Sequence, residues 1–164
     1  MKAVARFEKV SFDQFVNDFE VHFNVEEAYN DIKFPKRATT GSAGYDFYSP
    51  VDFTLAPGET IKIPTGLRCY IEDGYVLSIY PRSGLGFKYR LQLNNTVGII
   101  DSDYYNAANE GHIMIKLTND SNEEKTLVVK KGEGIAQGIF SEYFVTYDDD
   151  TDGVRTGGFG STTK

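Results

Sequence analysis

The pattern of apolar and polar positions changes once along the chain, near Pro35. Before that point, residues 11–31 are the one stretch with helical character. Apolar side chains recur there at helical spacing from Phe12 to Phe19, and Ser11 precedes them as a candidate N-cap. The pattern predicts a short amphipathic helix that covers the core.

After Pro35 the chain breaks into short apolar or alternating segments that are separated by turn residues. The turn signals are Pro57-Gly58, Asp73-Gly74, Asn119-Asp120 and Lys131-Gly132. Many short strands with little helix predict an all-β fold of the sandwich, jelly-roll or barrel type. The predicted strands are Val51–Leu55, Thr60–Pro64, Leu67–Ile71, Tyr75–Tyr80, Leu91–Leu93, His112–Leu117, Thr126–Val129 and Ile135–Phe140.

Length and charge narrow the class of protein. The 164 residues suffice for one domain with a core, and the net charge is −7 with a sequence pI of about 4.8. Nucleic-acid binders usually carry the opposite charge, so polymeric DNA or RNA is not expected as a partner. An anionic ligand would need a local basic cluster or a metal ion.

The cysteine and histidine content favours a protein of the cytoplasm without a structural metal. Cys69 is the single cysteine, which excludes an intrachain disulfide and fits a reducing compartment. His22 and His112 are far apart in sequence, so the pattern does not favour a zinc site. No apolar run is long enough to span a membrane, and the N-terminus has no apolar signal core.

The C-terminal residues 155–164 have the composition of a ligand-binding arm. Their three glycines allow a concave nest of backbone N–H groups for phosphate, and Arg155 adds a fork of donors. Phe159 lies between two glycines and is free to stack on a planar ring, while Ser161 and Thr162 supply hydroxyls. The acidic residues 148–153 before them have the composition of a solvated linker. Alone, this pattern is equally compatible with a frayed terminus.

Two further segments carry candidate chemistry. In residues 95–104, an apolar run delivers Asp101 into a polar loop, where it can serve as a general base, and Tyr104 can present its ring to a sugar. Asp103 is interpreted as a solvated neighbour. In residues 81–88, arginine, serine and glycines follow a strand, which suits either a phosphate loop or a plain turn.

Five ordered motifs change this picture. The motifs are Ala-Gly-Tyr-Asp at 43–46, Pro-Arg-Ser-Gly at 81–84, Gly-Ile-Ile-Asp-x-x-Tyr at 98–104, Gly-Ile-Ala-Gln at 134–137 and Arg-Thr-Gly-Gly-Phe-Gly-Ser-Thr at 155–162. In this order they resemble the trimeric dUTPase family over residues 35–164. The resemblance implies a jelly-roll-like distorted β-barrel, one domain over 1–164 with a flexible linker and arm at 148–164, and a homotrimer with shared active sites. It also implies Mg²⁺-dependent hydrolysis of dUTP to dUMP and pyrophosphate, which keeps uracil out of DNA and supplies dUMP for dTMP synthesis.

The resemblance also implies roles for individual residues. Asp101 matches the base that activates water, and Asp46 matches a supporting carboxylate. The arm is expected to reach its site from another subunit, and Mg²⁺ is expected on substrate phosphates and water without protein ligands. The residues implied to bind uracil and deoxyribose are Asn95, Gly98, Ile100, Tyr104 and Phe159. Those implied to bind phosphate are Arg82, Ser83, Gly84, Gln137, Arg155, Gly158, Gly160, Ser161 and Thr162.

The chain departs from the family pattern at two places. Residues 105–110 are inserted between Tyr104 and Gly111, and the stretch before Pro35 is longer than the family minimum. Both are candidate surfaces for a protein partner. Two other functions therefore stay open: deamination of dCTP, as in a relative of this fold, and a β scaffold that binds protein, as some phage dUTPases bind repressors.

Overall fold

The computed structural model describes residues 1–19 and 24–158, which form twelve strands and four helical segments. The strands are β1 Ala5–Lys9, β2 Lys36–Arg37, β3 Tyr45–Tyr48, β4 Phe53–Leu55, β5 Thr60–Pro64, β6 Leu67–Ile71, β7 Tyr75–Pro81, β8 Leu91–Leu93, β9 Gly98–Ile100, β10 Met114–Asn119, β11 Leu127–Val129 and β12 Gly134–Glu142. The helices are α1 Phe12–Asp18, α2 Val25–Asn30 and α3 Ser83–Tyr89, with a 3₁₀ helix at Ser102–Asn106.

The strands form a jelly-roll-like all-β fold, as the sequence predicts. A five-stranded sheet has the order β2-β3-β12-β7-β9, a three-stranded sheet has the order β5-β10-β8, and β1-β6 and β11-β4 form two further pairs. Every pairing is antiparallel. The sheets share one apolar core because their strands alternate; in β6, Leu67, Cys69 and Ile71 are buried and the residues between them are not.

The strand predictions hold for all eight predicted segments. Thr60–Pro64, Leu67–Ile71 and Leu91–Leu93 have the predicted bounds, and the other five shift or change length by one to three residues. Strands β1, β2, β3 and β9 were not predicted. Three of them pair with strands distant in sequence, such as β1 with β6, so no local turn signal marks them.

The N-terminal helical stretch is correct in type but wrong in extent. Ser11 caps α1 as predicted, since its side chain accepts a hydrogen bond from the Gln14 N–H. A second helix, α2, follows with Asn24 as its own cap, so the stretch is not one helix. Phe15 of α1 is fully buried beside Gly66, where an added side-chain carbon would collide with Ile32 Cδ1 and lie 3.2 Å from Phe15 Cε2. The φ of +73° at Gly66 also favours glycine.

Helix α3 corrects the prediction of a loop or turn after β7. Arg82 is its N-cap, and its partly buried Leu85 and Tyr89 pack against the core. Two glycines in seven residues hide this helix from sequence patterns, because glycine disfavours helix. Across the two described ranges, no helix has the length and apolar character needed to cross a membrane.

Candidate active site

The candidate base Asp101 lies where β9 ends. Strand β9 pairs with β7, which buries Ile100 opposite Leu77 and leaves the next residue, Asp101, at the start of the 3₁₀ helix. About half of the Asp101 side chain is exposed, so water can reach its carboxylate. This placement is the one the sequence predicts: an apolar run that delivers a carboxylate into a polar loop.

Arg155 joins the C-terminal arm to this carboxylate. Its Nη2 donates to Asp101 Oδ2 at 2.7 Å, and its Nε donates to Asp103 Oδ1 at 2.7 Å. The arginine side chain is only 14% exposed. Asp103 is therefore an anchor of the arm as well as a solvated residue. We expected base and arm to meet from different subunits, and in this single chain they meet within one.

Tyr104 is buried at the wall of the site. Its hydroxyl donates to the backbone oxygen of His112 at 2.7 Å and accepts from Asn109 Nδ2 at 2.8 Å. Burial raises the pKa of Tyr104, so the phenol stays protonated and keeps donating at neutral pH. The Arg155 guanidinium lies 5.8 Å from the centre of the ring. The two hydrogen bonds hold the ring in one orientation.

These residues surround a small pocket of about 40 Å³. A drug-sized ligand usually needs a few hundred Å³. A nucleotide therefore requires the arm to shift from its present contact. The residues that line the pocket are Ile99, Ile100, Asp101, Tyr104, Arg155 and Gly158.

A second cluster lies at the end of β7 that leads into α3. Arg82 Nε pairs with Asp46 Oδ1 at 3.1 Å, and its Nη1 donates to the Gly134 backbone oxygen at 3.3 Å. Gln137 of β12 lies opposite Asp46 of β3 and donates to the Pro81 oxygen at 3.1 Å. Three of the sequence motifs, distant in the chain, thus meet at one place. Ser83 and Gly84 begin α3 beside it.

The two clusters stand at opposite ends of β7. Asp101 is one position beyond the Ile100–Leu77 pair, which places it next to Val76. Arg82 is six residues further along, and at about 3.3 Å per strand residue the separation is roughly 20 Å. One chain therefore does not bring the candidate base and the Arg82 cluster together.

The candidate uracil site lies on the turn between β8 and β9, which pair with β10 and β7 and not with each other. Asn95 is exposed at its turn, and Gly98 is buried against Ile79 of β7. A side-chain carbon at Gly98 would lie 3.2 Å from Ile79 Cβ, so glycine permits this close pairing. Within the turn, the N–H groups of Thr96 and Val97 donate to the Leu93 and Asn95 oxygens at 2.9 and 2.7 Å.

Phe159, Gly160, Ser161 and Thr162 lie outside the described residues, and their predicted roles stay predictions. Gly158 lines the pocket, and its predicted role in phosphate binding stays a prediction. Sequence reasoning missed two residues here: Asn109, which binds Tyr104, and Ile99, half-exposed at the pocket. The alternation of β9 marks Ile99 as outward-facing, whereas Asn109 has no signal in the sequence.

A metal ion in the site would depend on the donor groups that surround it. Within residues 1–19 and 24–158, no three His, Cys, Asp or Glu side chains are grouped so that they could hold a metal ion. Mg²⁺ often keeps its waters and binds through substrate phosphates, which requires no such group. The Arg82 cluster and Arg155 are suited to a metal–phosphate ligand of this kind.

The chain is an all-β protein. Its Asp101 and Arg82 clusters offer hydrogen-bond donors for an anionic ligand with a planar ring. A family model described as dUTPase matches residues 30–163. The deoxyuridine 5'-triphosphate nucleotidohydrolase of Lactococcus lactis subsp. lactis (strain IL1403) is 44% identical over 150 residues, which are 90% of this chain and 97% of the relative. The chain belongs to the dUTPase family.

Solved structures agree with this assignment. The dUTPase from Streptococcus mutans has a TM-score of 0.65 and 33% identity, and the match covers 85% of this chain and 97% of that one. A mutant dUTPase from phage phi11 of S. aureus has a TM-score of 0.64 with 19% identity, covering 92% and 98% of the two chains. The second likeness concerns the fold alone; that phage protein coordinates a structural Mg(II) ion.

Proposed function

We propose that this protein hydrolyses dUTP to dUMP and pyrophosphate, by attack of a water activated by Asp101 on the α-phosphate. Membership of the dUTPase family supports the substrate and the overall reaction. The observation that carries the mechanism is the position of Asp101, a half-exposed carboxylate at a pocket shared with Tyr104 and Arg155.

Asp101 supplies the base. Its carboxylate accepts a proton from the water as the new bond to phosphorus forms, and the bond to the pyrophosphate oxygen breaks. In the resting chain Arg155 occupies this carboxylate. When Arg155 moves to the substrate phosphates, its guanidinium pairs with the phosphate charge in place of Asp101. The Asp101 carboxylate then becomes available to water.

The sugar and base are recognised beside Asp101. The ring of Tyr104, fixed by its two hydrogen bonds, excludes a 2′-hydroxyl. Asn95 and the backbone of the turn between β8 and β9 read the uracil edge, and Gly98 and Ile100 belong to the strand that follows this turn. Phe159 covers the uracil when the arm closes, which excludes bulk water from the reaction.

The triphosphate binds the Arg82 cluster. Asp46 orients the Arg82 guanidinium, Gln137 is fixed by the Pro81 oxygen, and Ser83 and Gly84 offer backbone N–H groups. The arm adds donors from Arg155, Gly158, Gly160, Ser161 and Thr162. The dUTPase family uses a divalent metal; here we propose Mg²⁺, which supplies charge neutralisation of the phosphates.

The site is shared between subunits of a homotrimer. The roughly 20 Å between Asp101 and Arg82 along β7 supports this, since a base and a phosphate cluster so far apart serve one nucleotide only across a subunit boundary. In the trimer, the Arg82 cluster of one chain would lie near Asp101 of a neighbouring chain. A site of this kind is incomplete in a monomer.

The test is release of pyrophosphate from dUTP with Mg²⁺, run beside dCTP and UTP. Pyrophosphate and dUMP in equal amounts from dUTP are expected, with no ammonia from dCTP. Ammonia from dCTP would replace the proposal with a deaminase. No product from either nucleotide would favour a scaffold that binds protein. The matched control is Asp101→Asn, which separates chemistry from nucleotide binding.

A further inference from the structure

The inserted residues 105–110 are fastened to the N-terminal strand. The hydroxyl of Tyr105 donates to Glu8 Oε2 at 2.6 Å. The Arg68 guanidinium stacks 3.6 Å from the centre of the Tyr105 ring, and its Nη2 donates to the Tyr105 backbone oxygen at 2.9 Å. Glu8 and Arg68 are paired residues of β1 and β6, so that sheet fixes the first part of the loop.

The other end of the loop is fastened to α1. The carboxylate of Glu110 accepts from both the N–H and the hydroxyl of Ser11, at 2.7 and 2.6 Å. These hydrogen bonds lower the pKa of Glu110, so the carboxylate stays charged and bonded. The two departures from the family pattern, the N-terminal stretch and the inserted loop, therefore form one unit.

The free side of this unit faces the arm. The Ala108 N–H donates to the Thr156 backbone oxygen at 3.3 Å. Asn109 lies against Gly158: a side-chain carbon added at Gly158 would lie 3.1 Å from Asn109 Nδ2. The same Nδ2 donates to the hydroxyl of Tyr104 at 2.8 Å. Asn109 thus touches the sugar-facing tyrosine and the arm at once.

The described part of the arm, residues 151–158, has no regular secondary structure, so no sheet ladder holds it. In the proposed mechanism Arg155 releases Asp101 when a nucleotide binds, whereas the contact between the arm and the loop need not change. A backbone hydrogen bond and a close approach at Gly158 are suited to a surface that holds the arm in either state.

We propose that residues 105–110 are the docking platform of the C-terminal arm, and that Asn109 is a positioning residue that aligns the arm with Tyr104. Its effect on turnover rests on the proposed function, whereas the docking itself does not. The N-terminal strand and α1 serve to hold this platform.

Docking can be measured without any nucleotide, by trypsin cleavage after Arg155. The released peptide of residues 156–164 is quantified by mass spectrometry, with cleavage after Lys125 as the internal reference. Asn109→Ala should speed release by about fivefold, because it removes the side chain that lies against Gly158, with cleavage after Lys125 unchanged. Asn106→Ala is the matched control: the same substitution at an exposed position of the same loop, with release as in the wild type.

A second variant guards against a general effect on folding. Ala108 is the second residue of a turn closed by the Glu110 N–H and the Ala107 oxygen, and Ala107 already has the extended conformation that proline requires before it. Ala108→Pro should keep the loop and remove only the donor to Thr156. Release should rise by about threefold, because this bond is long.

The kinetic readout completes the test. For dUTP, Asn109→Ala should lower kcat/KM by about tenfold at a temperature where its thermal midpoint shows that it is folded. Asn106→Ala should leave kcat/KM unchanged. Unchanged peptide release in both Asn109→Ala and Ala108→Pro would overturn the proposal, whatever the turnover. If the wild type releases no pyrophosphate, the proposed function fails, and the peptide release still decides the docking.

Discussion

Arg155 and Asp101 of one chain share a charged hydrogen bond of 2.7 Å between Nη2 and Oδ2. The same guanidinium holds Asp103 through Nε, so one cation bridges two carboxylates. A residue proposed for phosphate therefore rests on the residue proposed as the base. In the proposed mechanism, substrate phosphate competes with Asp101 for Arg155, and this competition would couple the arrival of a nucleotide to the release of the base.

The first prediction concerns Asp101→Asn. We expect kcat for dUTP to fall by about 100- to 10,000-fold, the usual value of a general base, while KM changes little. The amide keeps the shape of the side chain and cannot take the proton. Steady-state pyrophosphate release and binding of a non-hydrolysable dUTP analogue measure the two effects.

Asp103→Asn is the matched control for this variant. It weakens one exposed ion pair of Arg155, so turnover should stay within about fivefold of the wild type. Equal losses in the two variants would mean that Asp101 acts only as an anchor of the arm.

The second prediction concerns the sugar. Tyr104→Ala should lose selectivity for dUTP over UTP, because the ring that excludes the 2′-hydroxyl is gone. Tyr104→Phe keeps the ring but loses the hydrogen bonds to His112 and Asn109 that hold it, so it should lose much less selectivity than Tyr104→Ala. The ratio of kcat/KM for the two nucleotides is the measurement. A ratio unchanged in Tyr104→Ala would assign sugar recognition elsewhere.

The third prediction concerns the separation of the two clusters along β7. Asp101→Asn and Arg82→Ala should each be nearly inactive, and an equal mixture that is unfolded and refolded should regain activity. If each site takes Asp101 from one chain and Arg82 from another, roughly a quarter of the sites are intact after random assembly.

The same mixture without unfolding is the control, since preformed assemblies do not exchange during a short incubation. Recovery only after refolding supports a site between chains. Refolded mixed assemblies that stay inactive would mean that one chain supplies both clusters. A mixture of Asp101→Asn with a chain that ends at Asp152 tests in the same way whether the arm crosses between subunits.

The fourth prediction concerns pH. His112 is buried; its Nε2 accepts from the Gly66 N–H at 2.8 Å and its Nδ1 faces Asp18 at 2.6 Å. Burial lowers the pKa of His112 below 6.5, against the opposing influence of Asp18 and Glu110. The unfolded chain then binds more protons than the folded one below about pH 6.5. The contribution of neutral His112 to the stability of the folded protein is therefore present above that pH and is lost as the pH falls.

The thermal midpoint of the wild type should therefore drop between pH 7.5 and 5.5 by more than that of His112→Gln at the same protein concentration. The variant is less stable at neutral pH and lacks the group that titrates. Parallel curves for the two proteins would exclude His112 as the source.

The sequence predicts the site better than it predicts how the site is arranged. The motifs identify Asp46, Arg82 and Gln137, and the structure brings these three together. Asp101 and Tyr104 are likewise placed by local signals: an apolar run, a polar loop and a three-residue spacing. Such features involve residues that are close in sequence, so they can be recognised from the sequence alone.

The rest depends on register and tertiary contact. That Asp101 and Arg82 lie at opposite ends of β7 follows from the Ile100–Leu77 pairing, which no local pattern specifies. Asn109 is a candidate positioning residue only because the fold places it in contact with Tyr104 and close to Gly158. Helix α3 forms where two glycines argue against it, because Leu85 and Tyr89 find the core.

Cys69, the inward-facing residue at the middle of β6, has a practical consequence. Burial raises the pKa of its thiol to about 12, so it is almost entirely protonated and inert toward alkylating dyes at neutral pH. It is also the only cysteine in the sequence. A cysteine introduced at exposed Asp150 would thus be the single reactive thiol of each chain, and a fluorophore attached there would report on the movement of the arm with no other residue replaced.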